Sequence, residues 1–393
     1  MPTESHAIEL STAIGNAELF PSLSHWSFFN HAGVSPLPRA SADAIRAYAD
    51  DAEINAYLGG TWFKEIEQLR KSTATLINAT VEEIALVKNT AEGISLVAAG
   101  IDWKPGDRIV TTAVEYPTNI YPWMEVAQRR GAELVMVPQE IDATGAQTVP
   151  LDKILAEAAH PRTRLVTLSH VEFASGQRHD LATIGAFCRP RGKLLCVDAI
   201  QSLGALPVDV MAMNIDYLTA GGHKWMLGPV GTGIFYCRKA LLDATRPLAI
   251  GAMSVVDAHN FGNYDYTLRP DAARYEAGAP PVAGLLGLKQ SIELLLAVGI
   301  DNVATRLKTL TDRLISGLQP RGYAVVSPRT GDAWSGIVIF NSPVHNREEL
   351  AKSLKRDHKI ELALRGDGVR FSAHFYNTEA QIDALLNALP AHP

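Results

Sequence analysis

"IALVKNTAEGISLVAAG", residues 84–100, decides how the rest of the chain is read. Ile84 to Asn89 opens with a short apolar run, as expected of a strand buried on both faces. Thr90 to Gly93, "TAEG", is a polar and glycine turn opening a helical segment. Such a turn leaves backbone N–H groups free for an anion. It also fits a plain helix N-cap by Thr90 with Glu92 nearby. The stretch alone leaves both readings open.

The same alternation continues to about residue 240. Candidate strands are 84–89, "RIVTTAV" (108–114), "ELVMVP" (133–138), "RLVTLSH" (164–170), "KLLCVD" (193–198), "IDYLTA" (215–220) and "TGIFYC" (232–237). Helical periodicity lies between them, as in 120–131 and 151–160. The pattern predicts an α/β fold: a mostly parallel, seven-stranded sheet flanked by helices. The short link between the last two strands predicts one antiparallel neighbour. After residue 250 the pattern becomes two long helices, four short strands and a closing helix, a smaller C-terminal α+β domain. The expected division is an N-terminal segment 1–40, able to dock on either domain, a large domain 41–250 and a small domain 251–393.

The bulk numbers exclude several classes. The chain has 393 residues, 47% hydrophobic, with 36 basic against 42 acidic side chains and a net charge of −6. That balance offers no footprint for nucleic acid or an anionic membrane. The apolar stretches fall short of a membrane span, and the N-terminus lacks a signal-peptide pattern. Three cysteines, Cys188, Cys196 and Cys237, make no disulfide framework and none pair at metal spacing, so no metal is expected and a reduced, cytoplasmic setting is.

Ligands of a parallel sheet bind beyond the carboxyl ends of its strands. Past the first strand lies the Thr90–Ala91 turn. Past the second comes an aromatic, Tyr116. Asp198 ends the strand 193–198, and "GGHKW" with Lys224 follows 215–220. Alone, Asp198 reads as a helix cap. As a set, an anion site, an aromatic, a carboxylate and a lysine match the phosphate, ring, ring nitrogen and aldehyde of pyridoxal 5'-phosphate. No GxGxxG or GxxxxGK[ST] run follows a strand, which weighs against a nucleotide-binding protein.

The chain resembles the class V aminotransferase group of fold-type-I pyridoxal-phosphate enzymes, which includes cysteine desulfurases, C–S lyases and isopenicillin N epimerase. The resemblance lies in "FFNHAGVSPLP", "NTAEGISLVAAG", "VDAIQSLGALPVDV", "GGHKWMLGPVGTG", "RYEAG" and "VRFSAHFYNT". It implies Lys224 as the Schiff-base lysine and Asp198 as the partner of the ring nitrogen. It implies Gln201 as donor to the phenolic oxygen, His223 at the phosphate end and Tyr116 on the ring. It implies Thr90 and Ala91 in the phosphate turn, and Arg370 as the arginine for the substrate carboxylate. Asn30 and His31 are candidates for the pocket wall, or equally a turn before Pro36. A homodimer with interfacial sites is implied, the segment Arg274 to Gly278 crossing to the partner's cofactor.

The departures bear on the reaction. Desulfurases carry a nucleophilic cysteine shortly before the carboxylate-binding arginine; here that loop is "LALRGDGVRFS", without cysteine. Relatives place hydroxyls where this chain has Gly221 and Ala279, and an asparagine where it has Phe173. With Lys224 removing an α-proton from an amino-acid aldimine, the residues serve transamination, C–S lysis or epimerisation. Transamination or C–S lysis without a persulfide cysteine is the expectation. Epimerisation, with Tyr116 as second acid–base group, is the alternative, and an inactive binding protein is the non-enzyme alternative.

Overall fold

The structure is a computed structural model describing residues 8–58 and 60–390. The predicted seven-stranded sheet forms, from β1 (Ile84–Val87), β2 (Arg108–Thr112), β3 (Glu133–Val137), β4 (Thr163–Ser169), β5 (Leu194–Asp198), β6 (Tyr217–Gly221) and β7 (Gly233–Cys237). Their order is β1-β7-β6-β5-β4-β2-β3. All run parallel except β7, antiparallel to both β6 and β1. Strands β1, β2, β6 and β7 are buried throughout because helices cover both faces. β3 is the exception. It forms one edge of the sheet, opposite the buried edge strand β1, and Glu133 and Met136 face solvent.

Two apolar clusters fill the two sides of the sheet. One joins Val110, Val166, Leu195, Val197, Leu218 and Ile234 to the helices. The other joins Ile94, Val97, Ile109, Trp123, Leu165 and Phe235. The helix Val282–Val298, placed by sequence in the smaller domain, contributes Leu285, Leu288 and Ile292 to the first cluster. It therefore packs on the large layer, against helices Arg39–Asn55 and Trp62–Ile77. Among the described residues no single helix is long and apolar enough to cross a membrane.

A second, four-stranded antiparallel sheet comprises β8 (Ala324–Val325), β9 (Ile337–Asn341), β10 (Ala363–Arg365) and β11 (Gly368–Ser372) in the order β8-β9-β11-β10. The N-terminal segment docks on this part of the chain. Ser27 and Phe28 pair with Ile360 and Glu361, and Asn30 bridges Ser372.

The loop after β6 is fixed from several directions. Gly222 N–H donates to Thr232 O (2.7 Å) and Gly228 N–H to Gly222 O (2.8 Å). Ser35 Oγ donates to Lys224 O (2.6 Å), and Ser35 N–H to His223 O (2.9 Å). Leu227 holds φ at 57°, an uncommon value for a side-chain-bearing residue. Fully buried Trp225 anchors the loop in the core. Gly204 lies beneath it at φ 95°, where a Cβ would overlap the Trp225 carbonyl. Gly204→Ala combines backbone strain with overpacking, so it is expected to cost about 2–4 kcal/mol. Urea denaturation of the wild-type and substituted apoproteins checks this; equal midpoints would contradict it.

Candidate active site

Most of the predicted groups meet at the carboxyl end of the large sheet. They line one cavity of about 370 Å³ that includes Thr90, Ala91, Tyr116, Asp198, Gln201, His223, Lys224 and Arg370. The fold explains the meeting. Helix Thr90–Gly100 begins directly after β1 and lies against β6, so closely that a Cβ at Gly93 would overlap Thr219 Oγ1. Only glycine permits that approach. The same docking lets Gly221 N–H donate to Thr90 Oγ1 (2.9 Å).

The helix cap is Asn89, not Thr90. Asn89 Oδ1 accepts from Glu92 N–H (2.9 Å), which frees the Thr90 hydroxyl for β6. A first helical turn leaves its leading N–H groups without partners inside the helix. Those of Thr90 and Ala91 stand at the cavity wall.

Lys224 is an amine in a place that disfavours charge. Burial lowers its pKa to about 8, Asp198 opposing the fall and Arg370 and Arg365 deepening it. Its Nζ lies 5.7 Å from the centre of the Tyr116 ring, which meets Phe173 edge-on. Asp198 is also buried. Desolvation lifts it to about 6, against a hydrogen bond from Ile200 N–H (2.9 Å) and the nearby Lys224 charge. At neutral pH the carboxylate and the ammonium both predominate, with an appreciable neutral fraction of Lys224.

Gln201 is oriented by Trp225. The indole N–H is only a donor, so the atom it meets at 2.9 Å is the Gln201 oxygen. The amide nitrogen then donates to Ala32 O (3.1 Å) and keeps a second hydrogen. His223 Nδ1 is buried without a hydrogen-bond partner among the described residues. Burial, then Lys224, lowers the His223 pKa. The imidazole stands over Gly221, where a Cβ would come within 3.0 Å of it.

Arg370 is almost fully buried. It donates to Phe173 O (3.2 Å) and to Asn30 Oδ1 (3.3 Å), while Nε has no partner among the described residues. Burial and the neighbouring Arg365 lower its pKa to about 9. Among the described residues no carboxylate pairs with this guanidinium.

Two expectations are corrected. His31 does not line the cavity. Its Nδ1 donates to Ser372 O (2.9 Å) and its Nε2 accepts from the Tyr376 hydroxyl (2.7 Å), so the ring ties the N-terminal segment to the small sheet. Asn30 reaches the site only by orienting Arg370. Arg274 turns inward, donating to Arg269 O, Leu242 O and Asp243, so its guanidinium is committed within its own chain.

Arg365 is the site residue that reading the sequence missed. The hairpin register pairs Ala363 with Arg370 and Arg365 with Gly368, which puts both arginines on one face. The turn residues "GDG" between the two arginines were the available signal.

The three cysteines lie outside the cavity and are buried. Burial raises all three thiols, Cys188 and Cys237 to about 12.

The family model for Aminotransferase class-V matches residues 27–385. A probable cysteine desulfurase of Pyrococcus abyssi is 31% identical, over 92% of this chain and 93% of its own. A cysteine desulfurase of Escherichia coli O8 is 30% identical, over 83% and 82%. Among solved structures, apo cysteine desulfurase from Thermococcus onnurineus NA1 superposes with a TM-score of 0.85 at 28% identity, covering 94% of this chain and 95% of that one. The cystine C–S lyase C-DES, in complex with its product cysteine persulfide, gives 0.85 at 27%, covering 94% and 98%.

The charges around Lys224 make two opposite expectations. In the apoprotein, Asp198→Asn removes the group holding the ammonium, so amine labelling at pH 7 quickens by about fivefold. Arg370→Gln removes a repelling charge, so labelling slows. The pH dependence of acetylation, read by mass spectrometry at the Lys224 peptide, checks both; shifts of the same sign would contradict the electrostatic account.

Proposed function

The chain belongs to the class-V aminotransferase family of pyridoxal-phosphate enzymes, and from that premise we propose that it is a C–S lyase acting on cysteine-type amino acids without a protein persulfide. The observation that carries the reading is the cavity itself: a lysine, a carboxylate and an arginine converge there, and none of the chain's cysteines lines it. The names of the relatives supply the substrate class.

The residues fit pyridoxal phosphate. The first N–H groups of helix Thr90–Gly100 suit its phosphate. His223 lines the same cavity with its Nδ1 unpartnered among the described residues, which supports His223 and the Thr90–Gly221 contact as replacements for the hydroxyls absent at Gly221 and Ala279. Asp198 suits a protonated ring nitrogen, Gln201 Nε2 the phenolic oxygen and Tyr116 the ring face. Lys224 suits the aldehyde. Bound there, the cofactor supplies an electron sink that stabilises a carbanion at the substrate's Cα.

The chain's own groups do the rest. Arg370, already oriented by Asn30 and Phe173, takes the substrate carboxylate bidentately. Lys224, with a pKa of about 8, is poised to take the α-proton and return one later. Loss of sulfur from Cβ then leaves an enamine that water converts to pyruvate and ammonia. From cysteine the sulfur departs as hydrosulfide; from cystine it departs as cysteine persulfide.

Arg365 supports a substrate with a second anionic end. Its guanidinium lines the cavity beside Arg370, and the hydrogen bond that holds it goes to its own strand, at Leu364 O (2.7 Å). Cystine carries a second carboxylate and cysteine does not. We also propose a homodimer, supported by the exposed side chains of Phe261, Tyr264 and Tyr266, apolar area that association would cover.

Two measurements test the function. A variant with all three cysteines changed to serine is expected to keep releasing sulfide and pyruvate in equal amounts. Alanine as the organic product, lost in that variant, would show a persulfide route instead. Arg365→Gln is expected to lower kcat/KM for cystine by about tenfold while leaving cysteine turnover within about twofold. Equal losses for both substrates would remove the second carboxylate site.

A further inference from the structure

Behind Asp198 lies a group of buried titratable side chains that the steps above do not use. Glu172, fully buried, accepts from the Thr112 hydroxyl (2.9 Å) at Oε1, and the same oxygen lies 3.0 Å from His179 Nε2. Its Oε2 is buried with no partner among the described residues. Glu115 stands nearby and takes Ser169 N–H and Ser169 Oγ, each at 2.6 Å.

The backbone brings this group to the strand end that carries Asp198. Ser169 is the register partner of Asp198, and His170 N–H donates to Asp198 O (2.9 Å). A tight turn then folds His179 back, its N–H donating to His170 O (2.9 Å).

The cluster also meets a second cavity, of about 460 Å³. His170, Arg178, His179 and Asp180 line it, and no lining residue is shared with the first cavity. His179 therefore touches Glu172 on one side and this second cavity on the other.

We propose that Glu172 is a positioning residue that sets the charge on Asp198, and that its proton comes and goes through His179 at the second cavity. The inference rests on the reading of Asp198 as partner of the ring nitrogen. It fits a carboxyl group buried with one oxygen that no donor among the described residues reaches, because the neutral acid costs far less to bury than the ion.

The neighbours agree with that assignment. Burial and the Asp198 charge raise Glu172 to about 8, against the Thr112 hydrogen bond. Glu115 is raised well above the usual carboxylate range by burial and by Glu172, against its hydrogen bonds from Ser169 and Asn119, so it too is shifted toward the neutral form. His179 is lowered to about 4 and His170 to about 3 by burial, so both rings are neutral at pH 7. Arg178, the remaining cation, is engaged by Asp332 and by the Trp334 ring.

The sign follows. Below about pH 8 Glu172 is neutral and adds no charge beside Asp198. Above it, ionised Glu172 adds negative potential at Asp198, which strengthens the hold on a protonated ring nitrogen. The pair would thus keep its proton to higher pH than Asp198 alone allows.

The experiment is a pH titration of the visible spectrum of substrate-free holoenzyme, for wild type, Glu172→Gln and Asp198→Asn. Glutamine has the shape of a protonated glutamate, so Glu172→Gln is expected to fold and to match wild type at low pH. Its ring-nitrogen transition is expected about one pH unit lower than in wild type. Infrared difference spectra of the wild-type apoprotein give an independent readout: a protonated-carboxyl band disappears across about pH 8, and Glu172→Gln lacks it. After a pH jump, His179→Gln is expected to approach the same end point about tenfold more slowly. If Asp198→Asn leaves the spectrum unchanged, the Asp198 reading fails and this inference with it. If Asp198→Asn changes the spectrum and Glu172→Gln titrates like wild type, or the infrared band is absent, this inference alone is overturned. An unaltered rate in His179→Gln overturns the route through the second cavity.

Discussion

Removing water from Lys224 and Asp198 is the constraint on which the rest of the site depends. In solvent the two would be a strongly charged ammonium and carboxylate. In the cavity their values draw in to about 8 and about 6, because burial disfavours both ions and outweighs their mutual attraction and the Ile200 N–H on Asp198. A lysine so placed is both a reactive amine and a proton carrier near neutral pH. Arg370 and Arg365 add positive charge to the same cavity, which suits it to anionic groups.

That arrangement would collapse on a loose scaffold, and the chain holds it with backbone. The Lys224 carbonyl accepts from Ser35, the Trp225 carbonyl from His374, and the Leu227 carbonyl from Ser291. The approach of Gly93 to Thr219 sets the anion turn against β6, and Trp225 orients Gln201 from within the core. His31, although outside the cavity, serves the same end by joining the N-terminal segment to Ser372 and Tyr376 near Arg370.

The sheet was legible because strands buried on both faces are written as short apolar runs, and the site was legible because four chemically distinct groups follow such runs. Edge position was not, since β3 is nearly as apolar as the inner strands and only its neighbours decide its exposure. Asn89 and Thr90 are adjacent polar residues, and either satisfies a capping pattern; the contact with Gly221, far along the chain, assigns their roles. His31 failed for the same reason, its partners lying beyond residue 370. The pairing of Arg365 with Arg370 depends on hairpin register. The Glu172–His179 contact depends on a turn whose geometry no periodicity encodes. Contacts made between distant segments were the common gap.

The central claim is that Lys224 is the covalent anchor of the cofactor in this cavity. Borohydride reduction of the holoenzyme, followed by digestion and mass spectrometry, tests it most directly. The account predicts the mass of reduced pyridoxal phosphate on the peptide containing Lys224, and its absence in Lys224→Ala. Cofactor fixed to a different lysine, or a protein that retains none after reconstitution, would contradict it.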